Sequence, residues 1–155
     1  MGDVMSWVPP KSTFNLLQEN YWPDEWKVLS VCLLLNLTTR KQVDGVIDTF
    51  FKKYPDAQAM IAADELELSD LIRPLGMWRK RVKTLKRFSM EYLLGNWKTA
   101  KELYGCGKYA DDCWRLFFVG DWRDISPNDH ALNDYHGWLK EHYEGQDSTV
   151  EKSAA

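Results

Sequence analysis

LYGCGKYADDCWRLFF, residues 103–118, decides how this chain is read. Its surroundings have helical composition from about Trp97 to Phe118, yet Gly105 and Gly107 stand inside the run. A glycine in a helix interior costs about 1 kcal/mol relative to alanine. Two of them so close together predict a deliberate break: a helix from Trp97 to Tyr104, a glycine-bounded hairpin, and a second helix from Lys108 to Val119. The start of that second helix leaves backbone N–H groups without intrahelical acceptors. Together with the positive end of the helix dipole they offer an anion site. Glycines lack the Cβ that would hold a phosphate away, and Lys108 adds a cation. A tight corner between packed helices would use the same two glycines, and spacing alone does not separate the two readings.

Outward from the hairpin the pattern stays helical. Pro23-Asp24 opens a segment whose apolar positions run through Trp26, Leu29 and Val31 to Leu35. Thr39 and Gln42 have capping-box spacing ahead of the apolar face Val43, Val46, Ile47, Phe50 and Phe51. Asp64 and Glu67 repeat that arrangement before Leu68, Leu71 and Ile72, and Pro74 ends the helix. A further helix is predicted from Met77 to Leu94, closed by Gly95-Asn96, and a last one from Pro127 to Tyr143. In that last helix Ser126 suits the N-cap and Asp129 the capping-box position. A carboxylate there is held ionised by the helix end, as a group stabilising a developing cation requires. Period-2 alternation is absent, so the fold class is all-α. One domain is expected over residues 7–143, with Trp7 and Pro9-Pro10 strapping its body and flexible termini at 1–6 and 145–155.

Composition narrows the function. The chain has 155 residues, 45% hydrophobic and 28% charged, enough for a real core. No apolar run approaches 18 residues, so no membrane partner is expected, and the start MGDVMSWVPPKS lacks the pattern of a signal peptide. Cys32, Cys106 and Cys113 form no C-x-x-C pair, which supports neither a disulfide framework nor a zinc ribbon and fits a reducing compartment. The net charge of −3 gives no global attraction to nucleic acid. Between Leu71 and Met90, however, lie Arg73, Arg79, Lys80, Arg81, Lys83, Lys86 and Arg87 with no acidic residue. That stretch reads either as a solvated helix face or as a grip on phosphates. His130, His136 and His142 are too widely spaced to share one helix face as ligands and read as structural or surface residues. Asp111 and Asp112 read as solvent-facing or paired with Arg115, and Trp22, Trp26 and Trp138 as core.

Four separated motifs keep their order: STFNLLQE, IRPLGMWRKR, LYGCGKYADD and PNDHALNDYHGWL. Together they resemble the helix-hairpin-helix DNA glycosylase superfamily, and within it the mismatch-specific thymine glycosylase domain of the methyl-CpG-binding protein family. The resemblance implies two α-helical lobes with a cleft between them. It also implies a nuclear, monomeric enzyme of base excision repair that removes thymine or uracil, and oxidised pyrimidines, mispaired with guanine in double-stranded DNA. Asp129 falls at the catalytic aspartate, while Tyr109, Gln18 and Leu17 fall where the family contacts a flipped pyrimidine. Leu37 and Met77 fall at the two side chains that enter the vacated stack. Gly105, Gly107, Lys108 and Tyr109, with Arg79, Lys80 and Arg81, fall among phosphate contacts. Tyr109 replaces the Schiff-base lysine of bifunctional relatives, implying hydrolysis without lyase activity. The cluster-binding cysteines of other members are missing, so neither an iron–sulfur cluster nor another metal is expected. Leu37 stands where near relatives have arginine, and Ala131 where they have lysine. Three alternatives stay open: a non-catalytic DNA-binding hairpin module, a purely structural or partner-binding α domain that the acidic balance would suit, and a Leu37 that belongs to the core at the end of the preceding helix.

Overall fold

A computed structural model describes the backbone of residues 7–154 and side chains as far as Tyr143. Among the described residues seven α-helices follow in order: α1 (Glu25–Leu35), α2 (Arg40–Lys53), α3 (Ala57–Ala62), α4 (Glu65–Ile72), α5 (Trp78–Leu94), α6 (Lys108–Trp114) and α7 (His130–Ala154). Among the described residues there is no strand. The fold is therefore all-α, as the pattern predicts.

The organising element is α1. Its apolar residues occupy nearly every side, and Val28, Leu29 and Val31 are fully buried, as befits a helix surrounded by others. It contacts α2 and α5 on one side and α6 on the other. Helices α2–α5 make one lobe. The N-terminal strap, α6 and α7 make the second. Three side chains tie the strap down: Trp7 Nε1 donates to Leu116 O at 2.7 Å, Trp22 Nε1 to Phe117 O at 2.8 Å, and Tyr135 Oη to Pro10 O at 2.8 Å. Trp26 is core, whereas Trp22 and Trp138 are half-buried against it.

The caps predicted at Thr39 and Asp64 hold, the first as a full capping box. Thr39 and Gln42 form a reciprocal capping box on α2, and Asp24 and Asp64 accept from Lys27 N and Glu67 N at the starts of α1 and α4. Four boundaries differ from the sequence reading. Trp97–Tyr104 is not a helix but a single 3₁₀ turn at Ala100–Glu102: a Thr99–Glu102 capping box starts the turn only at Ala100, and the left-handed Gly105 corner follows at once. Trp97 meanwhile packs edge-on against Trp114. Helix α6 keeps α geometry only to Trp114 and then widens into a π turn over Arg115–Val119, ended by Gly120. Helix α7 starts at His130, with Asp129 rather than Ser126 as its cap. It also continues to Ala154, past the end at Tyr143 suggested by composition. The expected flexibility of residues 1–6 falls outside the described residues.

The two hairpin glycines have different causes. Gly105 has φ of +84°, and a Cβ there would sit 2.4 Å from Thr84 Cγ2 and 3.2 Å from Leu33 Cδ2. It is the tight corner. Gly107 has an ordinary φ of −105°, and its missing Cβ would meet nothing within 4 Å. No packing demand in the protein explains that glycine. Gly105→Ala should therefore destabilise by roughly 2–4 kcal/mol, combining a left-handed alanine with overpacking. Thermal melting checks this, with a fall of about 2–4 °C expected per kcal/mol. A melting point equal to wild type's would show that the corner can relax.

Candidate active site

A pocket of about 420 Å³ opens between the lobes. Its walls come from the strap (Phe14 and Leu16 to Gln18), the α1–α2 turn (Leu35 to Thr38), Arg40, Tyr109 on α6, and Asp129, Ala131 and Leu132 at the start of α7. Five residues singled out from sequence, Leu17, Gln18, Leu37, Tyr109 and Asp129, thus line one cavity.

Each is placed by its local chain. Asp129 Oδ2 accepts from Leu132 N at 3.0 Å, so capping α7 fixes a solvent-exposed carboxylate on the pocket wall. Tyr109 sits in the first turn of α6, and its phenol oxygen accepts from Gln18 Nε2 at 2.6 Å. Gln18 is 2% exposed, and the same Nε2 lies 3.7 Å from Cys32 Sγ, so its amide orientation is set from behind. Burial drives the Tyr109 phenol well above its usual range, with Cys32, Cys113 and the Asp129 carboxylate adding in the same direction. The phenol therefore stays protonated. With its oxygen occupied by Gln18, its own O–H remains for donation. Chemically the pocket offers a neutral amide, a neutral phenol and an anionic carboxylate at its edge. Such a set suits a ligand with carbonyl oxygens and a positive charge developing beside it.

Leu37 is not core. It is 76% exposed with φ of +60°. Met77 is 47% exposed with φ of +50° and lies outside the main pocket. It lines a neighbouring groove of about 190 Å³ with Lys80, Thr84 and Gly105, and Asn36 borders both cavities. Two apolar side chains are thus held out to solvent on left-handed backbone, which favours glycine.

The basic stretch divides. Arg79 and Lys80 are exposed, and Gly105, Gly107 and Lys108 are exposed at the hairpin. Lys108 Nζ already donates to Asp112 Oδ2 at 2.5 Å and to Ser126 O at 2.7 Å, tying α6 to the loop before Asp129. Arg81 must be corrected: it is 7% exposed and cannot reach a phosphate. Its guanidinium donates to the carbonyls of Gly76 (2.8 Å), Asn36 (2.9 Å), Leu33 (3.3 Å) and Leu75 (3.4 Å). Lys86 is likewise spent on the Ile61 and Ala63 carbonyls. Composition could not reveal this, because a buried arginine and an exposed one look alike in a basic run.

The remaining candidates are structural. Asp111 and Asp112 are both buried, not solvent-facing; Asp111 pairs with Arg115 at 3.0 Å and Asp112 with Lys108. His136 is buried against the Trp122 carbonyl, and His130 is exposed. The three cysteines are free and buried, and burial pushes the Cys106 thiol up to about 12. Sequence reasoning missed Phe14, Asn36 and Arg40 as pocket residues. Only their closeness to Gln18 and Leu37 in the chain hinted at them.

A glycine hairpin between helices, beside a pocket whose carboxylate caps the next helix, defines the helix-hairpin-helix class of DNA-acting proteins. The family model for HhH-GPD superfamily base excision DNA repair proteins matches residues 31–150, and the chain belongs to that superfamily. It is 45% identical over 138 residues to the methyl-CpG-binding domain protein 4-like protein of Arabidopsis thaliana, covering 89% of this chain and 31% of that protein. It is 37% identical over 93 residues to a thymine-DNA glycosylase of Aeropyrum pernix, covering 56% of this chain and 42% of that one. The chain thus spans less than half the length of these curated relatives. The solved structure of a thermostable thymine-DNA glycosylase shares the fold, with a TM-score of 0.62 at 19% identity over 81% of this chain and 70% of that one.

The arginine assignment is open to direct measurement. Arg81→Met should lower the melting temperature by several degrees, since four carbonyls lose buried donors at about 1–3 kcal/mol for an unsatisfied group. The salt dependence of DNA binding should not change. Lys80→Ala should leave melting nearly unaltered and reduce the log–log salt slope by about one. The opposite pattern would put Arg81 on DNA after all.

Proposed function

We propose that this domain is a monofunctional DNA glycosylase that hydrolyses the N-glycosidic bond of thymine or uracil mispaired with guanine. The observation that carries the reading is the meeting of Asp129, Tyr109 and Gln18 around one pocket in a chain of the base excision repair superfamily. Relatives described as a thymine-DNA glycosylase and a thymine/uracil-DNA glycosylase support the choice of base.

The target base must leave the helix to reach such a pocket, and a mispair lowers that cost. Arg79, Lys80 and the hairpin amides at Gly107, Lys108 and Tyr109 hold the backbone, contacts that position without specifying sequence. Leu37 and Met77 fill the vacated stack as apolar wedges. Inside the pocket, the Tyr109 hydroxyl donates to a pyrimidine oxygen as negative charge grows on the departing ring, while Gln18, whose amide N–H groups face Tyr109 and Cys32, holds the ring edge through its carbonyl as an acceptor. Cleavage leaves an oxocarbenium-like sugar, which the Asp129 carboxylate stabilises while directing water to the anomeric carbon. Water supplies the hydroxyl, the base takes the bonding pair and a proton, and the strand remains intact. Tyr109 offers no amine, so no imine with the sugar forms.

Incubation with duplexes carrying T or U opposite G should release free base and leave an alkali-labile abasic strand. Asp129→Asn should keep the fold, since asparagine also caps helices well, and should still bind the duplex. Its excision rate should fall by about 100-fold or more. Duplex binding without any base release by the wild-type protein would favour the non-catalytic module instead. Borohydride trapping of a covalent adduct in step with base release would overturn the monofunctional assignment.

The exposure of Leu37 generates a further expectation. Leu37→Ala should slow excision from duplex far more than from single-stranded DNA, where no stack needs replacing, with the melting temperature unchanged. Equal slowing on both substrates would remove the wedge role.

A further inference from the structure

Arg40 opens α2, three residues after Leu37, and its side chain reaches back across the pocket mouth. Nη1 donates to the Asn15 carbonyl at 2.8 Å, and Nε pairs with Asp44 Oδ1 at 2.9 Å, which steadies the guanidinium on its helix. Asn15 holds a left-handed backbone with φ of +50°, a conformation asparagine tolerates but that surrounding contacts must maintain. It lies between Phe14, which is 46% exposed and lines the pocket, and Leu16 to Gln18, which complete that wall. At the foot of this loop the buried Glu19 carboxylate accepts from Ser12 N and Leu16 N, each at 2.7 Å, and from Ser12 Oγ at 2.9 Å. Glu19 therefore pins the loop from within, and Arg40 pins its crest to α2, the helix that follows the Leu37 turn.

We propose that Arg40 is a positioning residue for the reaction proposed above. It sets the Phe14–Gln18 wall at the separation from the Leu37 turn that an extruded base requires. The proposal rests on the glycosylase reading. Arg40 touches no reacting atom; it acts through the backbone of Asn15. Displacing a positioning wall by about 1 Å can slow a reaction 100-fold, whereas affinity for DNA is carried mainly by phosphate contacts elsewhere.

The test combines three measurements on wild type, Arg40→Met and Arg40→Lys: single-turnover excision from a G·U duplex at saturating enzyme, Kd for a duplex bearing the abasic product, and amide hydrogen exchange. For Arg40→Met the saturated rate per folded molecule should fall about 10- to 100-fold. Its Kd should stay within about threefold, and exchange should rise in residues 12–18 alone. Arg40→Lys should recover much of the rate, because an ammonium can still donate to the Asn15 carbonyl. An unchanged rate would overturn the proposal, as would a rate loss accounted for by the unfolded fraction. So would a weaker Kd and shallower salt dependence at constant saturated rate, which would make Arg40 a phosphate contact. If wild type releases no base, the glycosylase reading fails by itself, and local exchange in Arg40→Met still decides whether Arg40 holds the loop.

Discussion

The buried guanidinium of Arg81 is the constraint on which the site depends. It rises from α5 and gathers carbonyls from two separate turns, the end of α1 at Leu33 and Asn36 and the approach to α5 at Leu75 and Gly76. Each turn is followed at once by an exposed apolar residue on left-handed backbone, Leu37 in one case and Met77 in the other. A single planar fork of donors thereby fixes the distance between the two protrusions, a task a flexible lysine ammonium performs less well. Burial lowers the Arg81 pKa from its very high reference value, but a guanidinium has ample margin to stay charged.

On the far side of the pocket the same economy of parts recurs. Asp129 closes the first turn of α7 and in doing so presents its carboxylate to the cavity. Lys108 joins the hairpin helix to the Ser126 carbonyl just ahead of that cap. The hairpin and the carboxylate consequently belong to one braced unit, with Asp112 completing the brace.

Much of this was legible in the chain. Caps at Thr39 and Asp64 and the end at Gly95 are local signals, and local hydrogen bonding decides them; the break at Gly105 shows as a glycine in the chain, though its cause is packing against Thr84 and Leu33. The Trp97–Tyr104 helix does not form because a Thr99–Glu102 capping box starts the turn only at Ala100 and the left-handed Gly105 leaves room for a single turn, and helical composition is silent about where a helix starts. Among site residues, Gln18, Tyr109 and Asp129 were placed by motif, and the fold brings them together from three distant segments. The burial of Arg81 is not legible in the chain because it depends on the turns around it. The contact of Arg40 with a carbonyl 25 residues away is encoded by no spacing rule.

The three described non-glycine residues with left-handed backbone, Asn15, Leu37 and Met77, lie respectively beside the pocket-lining Phe14, in the pocket wall and in the neighbouring groove. Each holds a conformation that costs about 1–2 kcal/mol for most L-residues. Laboratory evolution for heat resistance alone would accordingly push Leu37 and Met77 toward glycine, relaxing the backbone and removing exposed apolar surface together. A variant hardened in that way would melt later and, on the proposed wedge role, excise more slowly from duplex. The domain's thermal ceiling is thus set in part by two exposed side chains that the packing of the fold does not require.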